Sequence, residues 1–340
     1  MATTHSFNRP YEMVDYTDEL LLIPNQWGLL NTLGIFGSKG VAQNTVTFDK
    51  TTRTLGLLED TVRGERVRWN KGQVSQLHSF VIPHFTLDDA ILPEDLQDKR
   101  KIGTADIAAS LDDARMVKLE RIRKSHAATI EFAKAKALQG LAYAPNGTVS
   151  YNYYTEFGVT KKQVAFDTAN SASDQIAKNE EVIAHIQDTA QTGAIISDIV
   201  VICSPEFFAG YIANAGVKEA YAMYASTQEP LRNRLGTGLH RTFTHGGLTF
   251  IEYRGSFDGQ RIIPANRAYA VPLGMADEFL TIHGPAHHID YVNTAGRESY
   301  VFETMAPNGR SWVLESETNT LVLPRRPELI VELTQLASFV

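Results

Sequence analysis

The sequence is 340 residues long, with 43% hydrophobic residues, 21% charged residues and a formal net charge of −7 at pH 7. This composition is typical of a globular protein in water, and the negative charge argues against a general affinity for nucleic acid or for an anionic membrane. Cys203 is the only cysteine, which excludes an intrachain disulfide and a cysteine-based zinc site. The first residues lack a signal-peptide pattern, and no segment reaches about 18 consecutive apolar residues. We therefore expect folding in the cytosol.

The first 82 residues predict two extended features. Residues 1–40 contain short apolar runs interrupted by Pro24 and several glycines, which predicts an irregular arm whose apolar side chains need a surface to lie on. Residues 43–82 alternate apolar and polar residues between turn signals, which is typical of β-hairpins. This ribbon contains too few large apolar residues to form a core of its own, and an isolated two-stranded ribbon is only marginally stable. We expect it to pack against something else.

Residues 105–139 predict one long helix, because apolar residues recur every three or four positions and Gly140 supplies a stop. We expect this helix to lie across a sheet. Its other face is basic, and we expect that face to be solvated and balanced by Glu120 and Glu131, or to meet a partner such as a phosphate group. The apolar face consists of Met116, Leu119, Ile122, His126, Ile130, Ala133 and Ala137, and the basic face of Arg115, Lys118, Arg121, Arg123 and Lys124.

The second half alternates further helices and strands. Residues 174–190 predict a helix, and Ser204 followed by Pro205 predicts a helix start directly after a buried strand. The elements do not follow the regular βαβ order of a doubly wound sheet. The sequence therefore predicts an α+β fold in two subdomains. The expected strands are VSYNYYTEFGV (149–159), SDIVVICS (197–204), LTFIEYR (248–254) and RAYAVPL (267–273).

The segment HGPAHHID, from His283 through His287 and His288 to Asp290, has the side chains of a zinc or iron site. Gly284 and Pro285 interrupt any helix there, and the catalytic glutamate of an H-E-x-x-H motif is missing. We therefore interpret the segment as a polar loop and predict no metal and no catalytic residue, with a metal-dependent hydrolase kept as an alternative of a different class.

Other possible sites also fail on spacing. GIFGSKG (34–40) does not have the spacing of a phosphate-binding loop and is interpreted as flexible arm, so we predict no cofactor. Cys203 lies in an apolar run and is interpreted as a core residue. A coreless ribbon, an apolar arm and an overlong helix are features that neighbouring subunits normally complete, which predicts self-assembly.

Four segments together carry a resemblance to a known family: IPHFTLDDAILPEDLQDKRKIG (82–103), FGVTKKQVAFD (157–167), FTHGGLTFIEYRG (243–255) and APNGRSWVLESETNTLVLPRRPELIVELT (306–334). With them, the chain resembles the lambda-type major capsid protein E family of tailed bacteriophages. The order and spacing of these segments, which span most of the chain, resemble the family more closely than any single motif does.

The resemblance implies a Hong Kong ninety-seven-type capsid fold. Residues 1–40 would be the N-arm, 41–81 the extended E-loop, and 82–194 the P-domain with its spine helix at 105–139. Residues 195–320 would be the A-domain, and 321–340 a C-terminal strand that returns to the P-domain. HGPAHHID does not correspond to a motif of the family.

The resemblance also implies a function. Copies would form hexamers and pentamers of an icosahedral shell that encloses double-stranded DNA, in a virion assembled in the bacterial cytoplasm and without a membrane. Expected partners are other copies, a scaffold, a portal and a decoration protein, with non-specific contact to DNA. The alternative of the same fold is an encapsulin-like compartment shell. The expected inter-subunit contacts are Arg63, Arg66, Arg68 and Trp69 in the ribbon and Arg241, Phe243 and His245 near the axial region.

Overall fold

The computed structural model describes residues 14–17, 20, 28–51, 75–97, 111–144, 149–168, 170, 173–190, 195–234, 240–257 and 259–335. Helices and strands interleave along these ranges, which confirms the predicted α+β class. No helix of the described residues has the length and apolar character needed to cross a membrane.

The strands are β1 (Val14–Asp15), β2 (Gly37–Gly40), β3 (Thr45–Thr51), β4 (Ser75–Val81), β5 (His84–Thr86), β6 (Asp89–Ile91), β7 (Leu141–Tyr143), β8 (Val149–Asn152), β9 (Lys162–Phe166), β10 (Asp198–Cys203), β11 (Thr242–His245), β12 (Leu248–Glu252), β13 (Ser256–Phe257), β14 (Gln260–Arg261), β15 (Arg267–Leu273), β16 (Phe279–His283), β17 (Tyr300–Met305), β18 (Trp312–Pro324) and β19 (Val331–Gln335). The helices are α1 (Leu29–Thr32), α2 (Pro93–Leu96), α3 (Leu111–Leu138), α4 (Tyr153–Glu156), α5 (Gln175–Ala190), α6 (Pro205–Ala213) and α7 (Ala215–Arg234). Two 3₁₀ turns span Ile289–Tyr291 and Pro327–Leu329.

The first sheet is built around β18, which pairs antiparallel with β16, β17, β5 and β6. Two pieces of the arm complete it, because β1 pairs with β17 and β2 pairs in parallel with β16. Leu30 and Ile35 are buried in the main core. The interpretation of residues 34–40 as flexible arm is therefore wrong, since Ile35 is buried in the core and Gly37–Gly40 pair with β16.

The long predicted helix is present as α3, whose 28 residues span about 42 Å and pack on β18. Residues 105–110, its predicted beginning, lie outside the described residues. It ends where the sequence predicts, because Gly140 adopts φ +83° and a Cβ there would lie 2.1 Å from the Tyr154 ring. Met116 departs from the predicted apolar face, since it is 49% exposed.

The predicted solvated basic face is wrong for two arginines of α3. Arg115 and Arg123 are buried against the first sheet. The Arg115 guanidinium donates to both carboxylate oxygens of Glu303, with Nε–Oε2 2.6 Å and Nη2–Oε1 2.8 Å. Arg123 pairs with Glu298, with Nη1–Oε1 3.0 Å. Hydrophobic periodicity could not reveal this, because the acidic partners follow at least 175 positions later by sequence and meet the helix only through the sheet.

Glu131 also departs from the prediction. It is fully buried rather than solvated, and its carboxylate accepts hydrogen bonds from the backbone N–H groups of Leu30, at 2.7 Å, and Asn31, at 3.2 Å. These donors belong to the first turn of α1, whose N–H groups have no partners within the helix. Gly28 leaves the space for this contact, because a Cβ there would lie 2.2 Å from the Glu131 carboxyl carbon.

The second sheet has the order β11-β12-β10-β15-β19-β9. Its strand β10 leads into α6, and the Ser204 hydroxyl accepts from Phe207 N at 3.2 Å, which confirms the predicted helix start. Helices α5, α6 and α7 cover one face. Glu332, fully buried on β19, links three strands through Gln163 Nε2, at 2.6 Å, Arg267 Nη1, at 2.5 Å, and Lys161 Nζ, at 2.9 Å.

Sheet membership does not follow the order of the chain. Strands β16, β17 and most of β18 share the first sheet, on which α3 packs, although they fall within residues 195–320, the implied A-domain. Conversely, β9 of the 82–194 group lies in the second sheet, and so does β19 of the 321–340 group. The chain therefore crosses between the two sheets several times, and β18 is a late strand on which α3 packs.

The predicted strand 149–159 is also shorter than expected. It forms β8 only as far as Asn152, whose side-chain oxygen accepts from Tyr154 N at 3.1 Å and starts α4. Asparagine favours this capping position, and its local hydrogen bond ends the strand.

We predict that Arg115→Met lowers the free energy of unfolding by about 3–5 kcal/mol, because it leaves the buried Glu303 carboxylate without its partner. Urea unfolding at pH 7 measures the change. The control is Lys124→Met on the same helix, whose exposed pair with Glu120 spans 3.5 Å and should contribute at most about 1 kcal/mol. Adding Glu303→Leu to Arg115→Met should recover part of the loss, whereas equal effects of the two single variants would contradict the buried pair.

Candidate interaction surfaces

The described part of the predicted ribbon is an antiparallel pair, β3 with β4, in the register Thr45–Val81 to Thr51–Ser75. It packs on the body through one face only. The Phe48 ring lies 5.8 Å from Phe80 and 5.6 Å from Phe157, and the Phe80 ring lies 5.1 Å from Tyr151. Such aromatic pairs contribute about 0.5–1.5 kcal/mol each beyond their buried area. The expectation that the ribbon packs on another surface is confirmed at its base, where the surface belongs to the same chain.

The opposite face of the ribbon base is open. Successive side chains of a strand point to opposite faces, so the inward positions of His78 and Phe80 leave Leu77 and Val81 outward, 70% and 56% exposed. Two branched apolar side chains on an exposed strand pair form a surface suited to burial against another molecule. The alternation in QLHSFV already contains this signal, although the contacts predicted for the ribbon are three arginines and a tryptophan.

The four predicted ribbon contacts, Arg63, Arg66, Arg68 and Trp69, lie outside the described residues. Their role as inter-subunit contacts stays a prediction.

The other three predicted contacts, Arg241, Phe243 and His245, lie in or next to β11, but they differ in burial. Phe243 is 1% exposed and packs against Tyr221 and Tyr224, at ring distances of 5.2 and 5.4 Å. The interpretation of Phe243 as an inter-subunit contact is therefore wrong for this fold, because its side chain is buried in the core of its own chain. Aromatic character alone does not distinguish a core residue from a residue at a subunit contact.

Arg241 and His245 are partly exposed, and their role as inter-subunit contacts stays a prediction. The hydrogen bond to Glu252, with Nε–Oε2 2.5 Å, raises the pKa of Arg241, and its guanidinium lies over the Phe208 ring. Burial lowers the pKa of His245, whose Nδ1 lies 2.8 Å from the Tyr211 hydroxyl. A neutral imidazole and a paired arginine leave little free charge at this edge.

The histidine segment does not converge on a common point. His283 ends β16 with Nδ1 2.9 Å from Thr320 Oγ1, and the His287 backbone N–H donates to Glu317 Oε1 at 2.6 Å. The His288 ring stacks on Phe302 at 4.8 Å. Across the described parts of the chain, no group of three histidine, cysteine, aspartate or glutamate side chains is arranged to hold a metal ion. The predicted polar loop is present, followed by the 3₁₀ turn at Ile289–Tyr291.

A groove separates this loop from the ribbon base. Asn44, Pro285 and His287 line both of its halves. Ile289 and Val292 stand at its outer rim, 80% and 59% exposed. Val81 of the ribbon base lines the same groove.

Comparison with known proteins identifies the class of protein. Residues 12–335 match the family described as phage major capsid protein E. The chain is 41% identical over 348 residues to the major capsid protein of Pseudomonas phage KPP10, which covers 98% of this chain and 99% of that protein. It is 30% identical over 364 residues to the major capsid protein of Salmonella phage Felix O1 (isolate Felix O1-VT1), which covers 97% of each chain.

Solved structures share the fold at much lower identity. The mature capsid of bacteriophage PhiM1 superposes with a TM-score of 0.55 at 11% identity, covering 92% of this chain and 88% of that chain. The capsid of Ralstonia phage GP4 gives a TM-score of 0.55 at 11% identity and covers 100% of both chains. These likenesses confirm the predicted capsid fold of the Hong Kong ninety-seven type.

The fold is that of a capsid subunit. The chain belongs to the phage major capsid protein E family, as its resemblance predicted, and its place is the capsid of a phage virion. Neither the encapsulin-like compartment nor the metal-dependent hydrolase receives support from these comparisons.

We predict that acid weakens the fold between about pH 6.5 and 4 through two buried histidines. Burial, with Arg123 nearby, lowers the pKa of His126 to about 4, and burial likewise lowers the pKa of His283 to about 4. The imidazoles of the unfolded chain bind protons near pH 6.5, whereas those of the folded chain bind them only near pH 4. The free energy of unfolding is therefore highest above pH 6.5 and falls as the pH drops from 6.5 to 4.

Urea unfolding of His126→Gln and His283→Gln against pH tests this effect. Each variant should flatten the decline of the unfolding free energy over that window, by roughly 3 kcal/mol for a shift of this size. Parallel profiles for the parent and both variants would contradict it.

Proposed function

We propose that this chain is the repeating subunit of a tailed-phage head and that hexamers and pentamers of it close into an icosahedral shell around double-stranded DNA. The observation that carries the proposal is the ribbon base, which is fixed to its own body on one face and exposes Leu77 and Val81 on the other. A subunit built this way exposes an apolar surface that a neighbouring copy can cover.

The sheets support an assignment of the subunit's parts. We assign the seven-stranded sheet and α3 to the P-domain, the six-stranded sheet with α5, α6 and α7 to the A-domain, and β3–β4 to the root of the E-loop. The first 40 residues form the N-arm, which is tied to the P-domain by β1 and β2. The linear boundaries at 195 and 321 are replaced by sheet membership in this assignment.

The same proposal includes the remaining partners. Rings with five and six copies need one heterologous surface that tolerates a small change of angle, and a ribbon packed through aromatic side chains at its root can supply it. Scaffold, portal and decoration proteins would bind the assembled shell. Contact with DNA is non-specific, in keeping with the net charge of −7.

We predict that Leu77→Asp prevents shell formation without unfolding the subunit. The side chain is 70% exposed in the single chain, so the unfolding temperature of the isolated subunit should stay unchanged. A charge buried at a subunit contact is strongly unfavourable, so the yield of particles should fall at least tenfold. Sedimentation velocity and electron microscopy of the expressed chain measure both species.

The matched control is Gln76→Asp, which adds the same charge one residue earlier on β4, also at an exposed position, and removes no apolar surface. It should assemble at the parental yield. Normal particle yield from Leu77→Asp would remove the ribbon's outer face from the proposed contact, and a parent that forms no particles under any condition would overturn the shell itself.

A further inference from the structure

Two imidazoles from distant parts of the sequence meet in the groove beside the ribbon base. His84 is the first residue of β5, and His287 belongs to the loop that follows β16. Both side chains line the same half of the groove. Their ring centres lie 6.2 Å apart, and the ring planes are inclined at 63°, so the rings are not stacked face to face. The groove therefore brings two nitrogen ligands close together.

The strand β18 determines which nitrogen of His84 carries the proton. Asn319 of β18 lies directly opposite His84 in the ladder between β18 and β5. The Asn319 Nδ2 group donates to the Pro285 carbonyl at 2.7 Å, and its Oδ1 lies 2.6 Å from His84 Nδ1. An amide oxygen can only accept a hydrogen bond, so His84 Nδ1 must be the donor. The lone pair of the neutral imidazole is therefore on Nε2, where it can bind a metal ion.

A buried carboxylate lies beside the same imidazole. Glu317 precedes Asn319 by two residues on β18, so both side chains point to the same face of the strand. Glu317 Oε2 lies 3.4 Å from His84 Nδ1, and Oε1 accepts from the His287 backbone N–H at 2.6 Å. Histidines that bind metals usually donate their other ring N–H to a carboxylate or a carbonyl, which orients the ring and strengthens the metal bond. Glu317 and Asn319 supply both kinds of acceptor to His84.

The other two histidines of the loop segment are held elsewhere. His283 is 5% exposed, and its Nδ1 lies 2.9 Å from Thr320 Oγ1. The His288 ring stacks on Phe302. Among the histidines of HGPAHHID, His287 is therefore the one that lines the groove with His84, and its partner comes from another strand rather than from its sequence neighbours.

We propose that His84 and His287 bind one divalent transition-metal ion, of which zinc is the representative. A metal about 2.0–2.1 Å from a nitrogen of each ring separates the two ring centres by roughly 5–6.5 Å, and the observed separation of 6.2 Å falls in this range. Imidazole favours zinc, copper and nickel, whereas magnesium and calcium prefer oxygen ligands. Two protein ligands leave the remaining coordination positions to water.

A bound ion would connect β5 to the loop after β16 and hold that loop next to the ribbon base. The site goes beyond the proposed shell function and does not depend on it, because both ligands belong to the same chain.

Isothermal titration calorimetry of the purified full-length subunit with zinc chloride tests the proposal. We expect one zinc ion per chain and no binding of magnesium. Glu317→Gln keeps an acceptor for the His287 N–H but removes the charge beside His84, so it should weaken zinc binding about tenfold. His84→Ala and His287→Ala each remove one of the two ligands and should weaken zinc binding by more than Glu317→Gln does.

The matched control is His288→Ala, which removes the neighbouring imidazole of the same loop and should bind zinc as the parent does. Loss of zinc binding in His288→Ala together with unchanged binding in His84→Ala would place the ion on the loop alone and overturn the proposed site. A parent chain that binds no zinc would also overturn it.

Protection of the parent chain from diethyl pyrocarbonate gives a second readout that does not depend on how a variant folds. The reagent modifies accessible imidazole nitrogens, and mass spectrometry of the digested chain locates the modified histidines. Saturating zinc should protect His84 and His287 and leave the modification of His288 unchanged. Equal modification of His84 with and without zinc would show that this ring does not bind the ion and would contradict the proposal.

Discussion

A long helix with charges on every side can lie inside a fold only where each buried charge meets a partner. Removing an arginine or a glutamate from water costs several kcal/mol unless hydrogen bonds and an opposite charge compensate. Here the first sheet supplies Glu303 and Glu298 beneath Arg115 and Arg123, and the arm supplies backbone N–H groups to Glu131. The rotation of α3 about its axis and its position along β18 are both set by these pairings.

The helix in turn connects the two sheets. Phe132 and Leu138 of α3 share one core with Val200 and Val271 of the second sheet, so the helix packs between layers rather than on one of them. The crossing strands add a second connection, because β18 leaves the first sheet and continues through the Pro327–Leu329 turn into β19. Glu332 then holds β19 to both neighbouring strands.

The sequence predicted well what depends on neighbours along the chain. The end of α3 at Gly140, the start of α6 at Ser204 and the strand at 267–273 all follow from local turn chemistry and periodicity. It failed where the outcome depends on distant partners. The buried Arg115 and Arg123, the buried Glu131 and the core position of Phe243 each require knowing which strand lies opposite. The sheet to which each strand belongs could not be predicted for the same reason, since it is decided by pairing and not by the order of the chain.

The alternation on β4 has a consequence for how subunits meet. Because Phe48, His78 and Phe80 are seated on the body of the same chain, a slip of one residue between β3 and β4 would turn the whole aromatic set toward water and is strongly disfavoured. The conformational entropy lost in orienting the ribbon base is therefore lost while the single chain folds. When two copies meet, the ribbon base is already ordered, so less entropy is lost on association and more of the contact energy stabilises the assembly.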